Sequence, residues 1–202
     1  MDCTKHGDTM KFDHSPGKKK VRILPHTSSG CLSNLEQKSN KSENIKIRPA
    51  LDMDTGYIIQ LSKRLFHNYG PYDRMVAEWL ESGAATVIIA QINRQTAGFA
   101  MLGYPTSRFD YFYSPELLAL AVTPEKQRRG IGKSLLKEIE KKAVETGTNR
   151  IFLHTEVKNF RARRLYSKNG YIPWEIKREF YPSGQDAVVM SKEISICNLT
   201  SY

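Results

Sequence analysis

Arg128, Arg129 and Lys133 surround two glycines in the run Gln127-Arg128-Arg129-Gly130-Ile131-Gly132-Lys133. Residues of these types at this spacing suit the grip of a phosphate or pyrophosphate. The run joins a strand-like stretch over 117–122 to an amphipathic helix that begins near Gly132. Glycines let the backbone turn tightly and approach a ligand, and the first turn of a helix offers unpaired N–H groups at the positive end of its dipole. The three cations add full charge. A Gly-x-Gly turn also serves as a plain helix cap, so the run alone does not identify a ligand. Two nucleotide folds are disfavoured by the same residues. The pattern lacks the third glycine and the later strand-end acid of a dinucleotide-binding turn. Gly132-Lys133-Ser134 imitates the end of a triphosphate-binding loop, but position 127, where that loop needs its first glycine, is Gln.

The elements that must position this turn follow from apolar periodicity. Strands are expected over 45–49, 86–91, 96–102 and 117–122, around Ile151, and over 171–176 and 187–192. Helices are expected over 57–67 and 74–81, from Gly132, and from Asn159. Strands precede, surround and follow helices, which indicates a mixed α/β sheet rather than an all-parallel one. In the Gly132 helix, Leu135, Leu136, Ile139 and Ala143 recur at helical spacing, Lys137, Glu138, Glu140, Lys141 and Lys142 are expected to face away, and Gly147 ends it. Alternation along the 117–122 strand places Glu116 on the same face as Leu118, Leu120 and Val122.

Downstream, Asn159, Leu165-Tyr166 and Asn169-Gly170-Tyr171 complete a fixed order of residues: Gln-x-x-Gly-x-Gly, helix, strand, Asn, Leu-Tyr, Gly-Tyr. That order, over roughly residues 45 to 194, resembles the GNAT superfamily of acetyl-CoA-dependent N-acetyltransferases, and in pattern the ribosomal-protein alanine N-acetyltransferases. The resemblance implies a central, mostly antiparallel mixed sheet flanked by helices, with acetyl-CoA as acetyl donor. It assigns cofactor binding to Gln127, Arg128, Arg129, Gly130, Ile131, Gly132 and Lys133. It also implies that backbone groups of Leu120, Ala121 and Val122 pair with pantetheine as an added strand would, and that an amide there stabilises the oxyanion. Asn159 matches the family asparagine that bonds the pantetheine arm, although a helix N-cap is an equally natural use for it.

Acetyl transfer needs a neutral amine, whereas a free α-amine has a pKa of about 8 and a lysine amine about 10.4. Some group must take the proton. In several GNAT branches a glutamate at the position of Glu116 acts as base, and Glu116 is the first candidate. His154 is the rival: it stands where ribosomal-protein alanine N-acetyltransferases place a glutamate and some eukaryotic N-terminal acetyltransferases place a histidine used as base. An imidazole suits proton removal near neutrality. Tyr166 follows Asn159 by two helical turns, on the cofactor side, and matches the family tyrosine that protonates the departing thiolate.

The stretch from Lys177 to Met190, basic and aromatic and ending Gly184-Gln185-Asp186-Ala187-Val188-Val189-Met190, resembles the hairpin of the alanine N-acetyltransferases that helps form a groove for a peptide N-terminus. A protein or peptide α-amine is therefore the expected acceptor. A small-molecule amine (a polyamine, amino acid or antibiotic) is the alternative, with residues 109–113 able to wall a compact pocket. A non-catalytic CoA-binding or ribosome-associated module is a third reading, disfavoured by the turn, Tyr166 and two candidate bases together.

Length and composition set the frame: 202 residues with 40% hydrophobic content fit one domain plus a tail. Residues 1–44, with Lys18-Lys19-Lys20 and little apolar period, predict a disordered basic tail; 45–194 is the catalytic domain and 195–202 a short C-terminal tail. The tail lacks a secretory signal's apolar core and no segment reaches a membrane span, so a soluble, cytoplasmic protein is expected. Cys3, Cys31 and Cys197 form no pair motif, and Cys3, His6 and His14 lack ligand spacing, so neither disulfides nor a metal is predicted. The net charge of +10 fits either weak electrostatic association with ribosome or nucleic acid, or attraction of a polyanionic cofactor.

Overall fold

The computed structural model describes residues 44–104 and 114–195. The expected tail, the three cysteines and the 109–113 segment lie outside the described residues. Strands β1 (Ile45–Pro49), β2 (Ala85–Ile92), β3 (Gln95–Gly103), β4 (Glu116–Val122), β5 (Arg150–Glu156), β6 (Ile172–Lys177) and β7 (Ala187–Glu193) form one sheet in the order β1-β2-β3-β4-β5-β7-β6. Every neighbouring pair is antiparallel except β4 and β5, which run parallel. Helices α1 (Thr55–Phe66) and α2 (Tyr72–Glu81) cover one face, and α3 (Ile131–Glu145) and α4 (Phe160–Lys168) the other. The expected mixed, mostly antiparallel sheet between helices is the one observed.

Two apolar cores result. Leu135, Leu136 and Ile139 of α3 bury against Leu117, Val122 and Leu153, while Ile58 and Leu61 of α1 and Val76 of α2 bury against Phe99, Met101 and Ala121. Each such Val, Leu, Ile, Phe or Met side chain, fully buried, contributes roughly 1.5–3 kcal/mol of transfer free energy before chain entropy is counted. At the entry to α1, Asp54 accepts from both terminal guanidinium nitrogens of Arg48 at 2.6 and 2.8 Å and from the Leu51 amide at 2.8 Å. The Arg48 bond is the main reason its carboxyl lies below the ordinary carboxylate range.

Two sequence expectations fail, each for a packing reason. Simple alternation along β4 does not survive: pairing with β3 slips between Met101 and Leu102, so Leu118 is an extra residue opposite no partner. Leu117, Leu120 and Val122 consequently join the α3 core, while Leu118, Ala119 and Ala121 face α1 and α2. Glu116 thus shares a face with Leu118 but not with Leu120 or Val122. On α3, Glu140 does not face away from the core. It is buried, one turn beyond Leu136, and Lys192 of β7 donates to its Oε2 at 2.7 Å. The cation from the neighbouring strand permits a carboxylate on that buried side.

The junction of β4 and β5 is short. Strand pairing is confined to Glu116 with Phe152 and Leu117 with Leu153, and beyond Leu117 the rest of β4 pairs with β3 alone. The bulge at Leu118 lies where the two parallel strands part. Bulges bend and twist a strand, which accounts for the opening there.

Candidate active site

The glycine turn has the geometry its residues imply. Gly130 is the N-cap of α3 with φ of +85°, a left-handed conformation that a side chain would strain, and Arg128 has φ of +63°. The helix begins at Ile131, one residue ahead of expectation, and Ser134 donates the bond to the Gly130 carbonyl that closes the first turn, at 3.0 Å. The opening amides therefore precede the intrahelical ladder. A Cβ on Gly132 would stand 3.3 Å from the Leu165 side chain, so a small residue lets α3 start against α4. Gln127 has a clear local use: its Nε2 donates to the Val122 carbonyl at 2.8 Å and closes the loop back onto β4. The same loop is tied to α1 by Tyr57 to Thr123 at 2.7 Å and Arg64 to Glu125 at 2.6 Å.

A cleft of about 620 Å³ lies between this turn, the end of β4 and α4. Its walls hold Leu120, Ala121 and Val122 from β4, Gln127, Arg128, Gly130, Ile131, Gly132 and Lys133 from the turn, and Asn159 and Tyr166. Of the residues expected to bind cofactor, Arg129 alone is not in the lining. Arg161, Arg164 and Lys168 of α4 line the cleft as well, and sequence reasoning missed them. Their signal was their helical spacing beside Leu165-Tyr166.

Glu116 and His154, rivals in the sequence, are partners in space. Parallel register sets Glu116 opposite Phe152, and His154 is the next residue of β5 on that face. The imidazole Nδ1 and Glu116 Oε1 stand 2.5 Å apart. When the carboxylate is ionised and the imidazole neutral, Nδ1 donates and Nε2 is the lone-pair nitrogen. Nε2 is buried with no hydrogen-bond partner among the described residues. The ring stacks flat on Phe180, with centroids 4.2 Å apart and planes 2° from parallel.

A smaller pocket of about 70 Å³ lies at His154, walled by Tyr69, Tyr72 and Tyr181. Tyr69 donates to Glu156 Oε2 at 3.0 Å and packs 4.7 Å from the Tyr181 ring. Burial first, then the bond to Glu156 and its charge, push the Tyr69 phenol up to about 12. Burial first, then the charge of Glu116, do the same for Tyr72, also to about 12. The hairpin that carries Tyr181 is fastened to the α1–α2 connection by Gln185 donating to the Asn68 carbonyl at 2.6 Å. Its neck is held by Arg178 to Asp186 at 2.7 Å and by the Glu179 amide to Asp186 at 2.9 Å. Glu156, Tyr69 and Tyr72 were not found from the sequence; the break Asn68-Tyr69-Gly70-Pro71 between two helices was the available sign.

Cleft and pocket share Phe66, Tyr69, Leu120, Asn159, Ala162 and Tyr166. Tyr166 is buried, and burial alone raises its phenol, so the hydroxyl stays protonated and can donate. Asn159 caps α4, its Oδ1 accepting from the Ala162 amide at 3.0 Å, and its side chain also bears on the Tyr69 phenol.

Residues 56–171 match the model of the acetyltransferase (GNAT) family. The chain belongs to this family. As a GNAT enzyme it is an acetyl-CoA-dependent N-acetyltransferase, and the cation-lined cleft with its glycine turn fits that donor. An N-alpha-acetyltransferase of Sulfurisphaera tokodaii is 27% identical over 165 residues, covering 76% of this chain and 95% of the relative. A [ribosomal protein bS18]-alanine N-acetyltransferase of Salmonella typhimurium is 34% identical over 83 residues, covering 40% of this chain and 56% of that protein. Among solved structures, a GNAT family acetyltransferase from Elizabethkingia anophelis with acetyl-CoA bound superposes with a TM-score of 0.58 at 22% identity, over 75% of this chain and 99% of the other, a likeness of fold. Among the described residues, no helix is long and apolar enough to cross a membrane, and no cluster of three metal-ligating side chains is present.

Proposed function

We propose that the acceptor is the N-terminal α-amine of a protein or peptide and that the Glu116–His154 pair deprotonates it. The observation that carries this reading is the buried Nε2 of His154, at a pocket walled by tyrosines, with Nδ1 held by Glu116. Two relatives, one named an N-alpha-acetyltransferase and one a ribosomal protein bS18-alanine N-acetyltransferase, support the choice of substrate class.

Acetyl-CoA supplies an acyl group activated as a thioester. The turn from Arg128 to Lys133 holds its pyrophosphate, and the unpaired edge of β4 at Leu120–Val122 lies where pantetheine would complete the ladder. The amine N–C bond forms as the C–S bond breaks. His154 Nε2 takes the amine proton, and Glu116 stabilises the imidazolium while fixing the ring. The Tyr166 hydroxyl donates a hydrogen bond to the departing sulfur. Because burial raises its phenol, full proton loss from Tyr166 is uphill, and solvent completes protonation of the thiolate. We assign this chemistry to residues 45–194, with 1–44 and 195–202 as appendages.

The experiment is turnover of acetyl-CoA, read as thiol release, on peptides with free and acetylated N-termini beside polyamines and amino acids. Release with free-amine peptides alone is the expected outcome. Equal or faster release with polyamines or amino acids overturns the α-amine reading. A protein that starts at Glu43 is expected to keep turnover of a short peptide.

A further inference from the structure

Five cations line the cleft: Arg128 and Lys133 at the glycine turn, and Arg161, Arg164 and Lys168 along α4. Among the described residues, no carboxylate lines it. Spacings of three and four residues put Arg161, Arg164 and Lys168 on one side of α4, with Ala162 and Leu165 beside them turned toward the core. All three are exposed, and none has a carboxylate partner among the described residues. Elsewhere on this protein, exposed cations are commonly paired, as Arg64 is with Glu125, Lys142 with Glu145 and Arg178 with Asp186. Three unpaired like charges on a short helix repel one another and cost stability, by a few tenths of a kcal/mol per pair at these spacings.

On the opposite wall, the opening amides of α3 lie beside Arg128 and Lys133 and offer a pyrophosphate its donors. The α4 cations exceed that need. A donor with a second, separate phosphate would use them, and CoA has one: a monoester on the ribose 3′ oxygen, a full ribose away from the pyrophosphate and carrying close to two negative charges at neutral pH, as phosphate monoesters do. We propose that Arg161, Arg164 and Lys168 form a 3′-phosphate subsite by which this enzyme selects CoA over donors that lack that phosphate. This deepens the acetyl-CoA assignment, on which it rests. The guanidinium groups present paired N–H donors to phosphate oxygens, and Lys168 adds a point charge at the C-terminal end of the helix.

The test is calorimetric binding of CoA and of 3′-dephospho-CoA to the full chain and to two triple variants. One is Arg161→Gln/Arg164→Gln/Lys168→Gln. The other, Lys63→Gln/Lys141→Gln/Lys142→Gln, removes the same charge away from the cleft. The wild type is expected to bind CoA roughly tenfold or more tightly than dephospho-CoA, the α4 variant to bind both alike at the dephospho-CoA affinity, and the control to keep the preference. Equal wild-type affinity for the two ligands overturns the subsite while leaving the cofactor assignment standing. Equal weakening of both ligands in the α4 variant overturns it too, and marks these cations as general electrostatics of the kind that would serve nucleic acid. Failure of the wild type to bind either ligand overturns the cofactor assignment along with the subsite.

Discussion

The cleft and the pocket adjoin at Tyr166, yet their charge is opposite. Among the described residues, the cleft is lined by five cations and no carboxylate. The pocket is lined by Glu156, has Glu116 bonded to its histidine and, among the described residues, contains no Lys or Arg. On the proposed reading, a polyanion and an amine, which arrives as a cation, would be drawn to adjoining sites on either side of Tyr166. The net charge of +10 is therefore a poor guide to partners unless its placement is known. A uniformly basic surface would attract the donor and repel an ammonium.

The largest effect is expected on the acidic side. His154→Gln should lower kcat by roughly 10²-fold or more with little change in the affinity for CoA, and Glu116→Gln should lower it less, because the amide oxygen can still accept from Nδ1. If the two act as a unit, the double variant is no slower than His154→Gln alone; multiplicative losses in steady-state kinetics would separate them into independent bases. On the basic side, Gly130→Trp places a bulky residue at φ of +85° and should weaken CoA binding by roughly tenfold or more in calorimetry while the fold persists. Unchanged affinity would remove the turn from the cofactor site. At the meeting point, Tyr166→Phe should slow the acetyl-transfer step roughly tenfold with CoA affinity unchanged, in single-turnover kinetics.

The smallest expected change reports on the pocket's charge directly. Glu156 accounts for two of the causes that raise Tyr69, so Glu156→Gln should let that phenol ionise below about 12 in an ultraviolet titration. Its sign for stability follows from linkage. A phenol raised in the folded state adds stability that is complete below its unfolded value of 10.0 and is lost as pH rises through about 12. Glu156→Gln should narrow that alkaline window. The same variant should raise KM for a peptide amine by several-fold with kcat nearly kept.

Local patterns carried most of what the sequence revealed. The apolar period of α3, the strand flanking it, the glycine turn and the place of Tyr166 all depend on neighbours within a few turns, and each was legible. What was hidden depends on pairing between distant strands. The bulge at Leu118 arises from how β3 and β4 share residues, and it moved Glu116 to the face opposite Leu120. The bond between Glu116 and His154 spans 38 positions and exists because β4 and β5 run in parallel at that register. Glu140 read as solvent-facing because its partner, Lys192, comes from the far end of the chain. The α4 cations drew no reading from the sequence, since only the cleft's second wall shows what they look onto.

Two residue pairs are all that join β4 to β5, so the sheet is two leaves sewn by a short seam at one end. Strands β1 to β4 form one leaf and β5, β7 and β6 the other. Pantetheine lying in the gap would act as a removable stitch. Amide protons on the open edge of β4 should then exchange with solvent quickly in the free enzyme and slowly once CoA is bound, and a force applied across the leaves should part them there first.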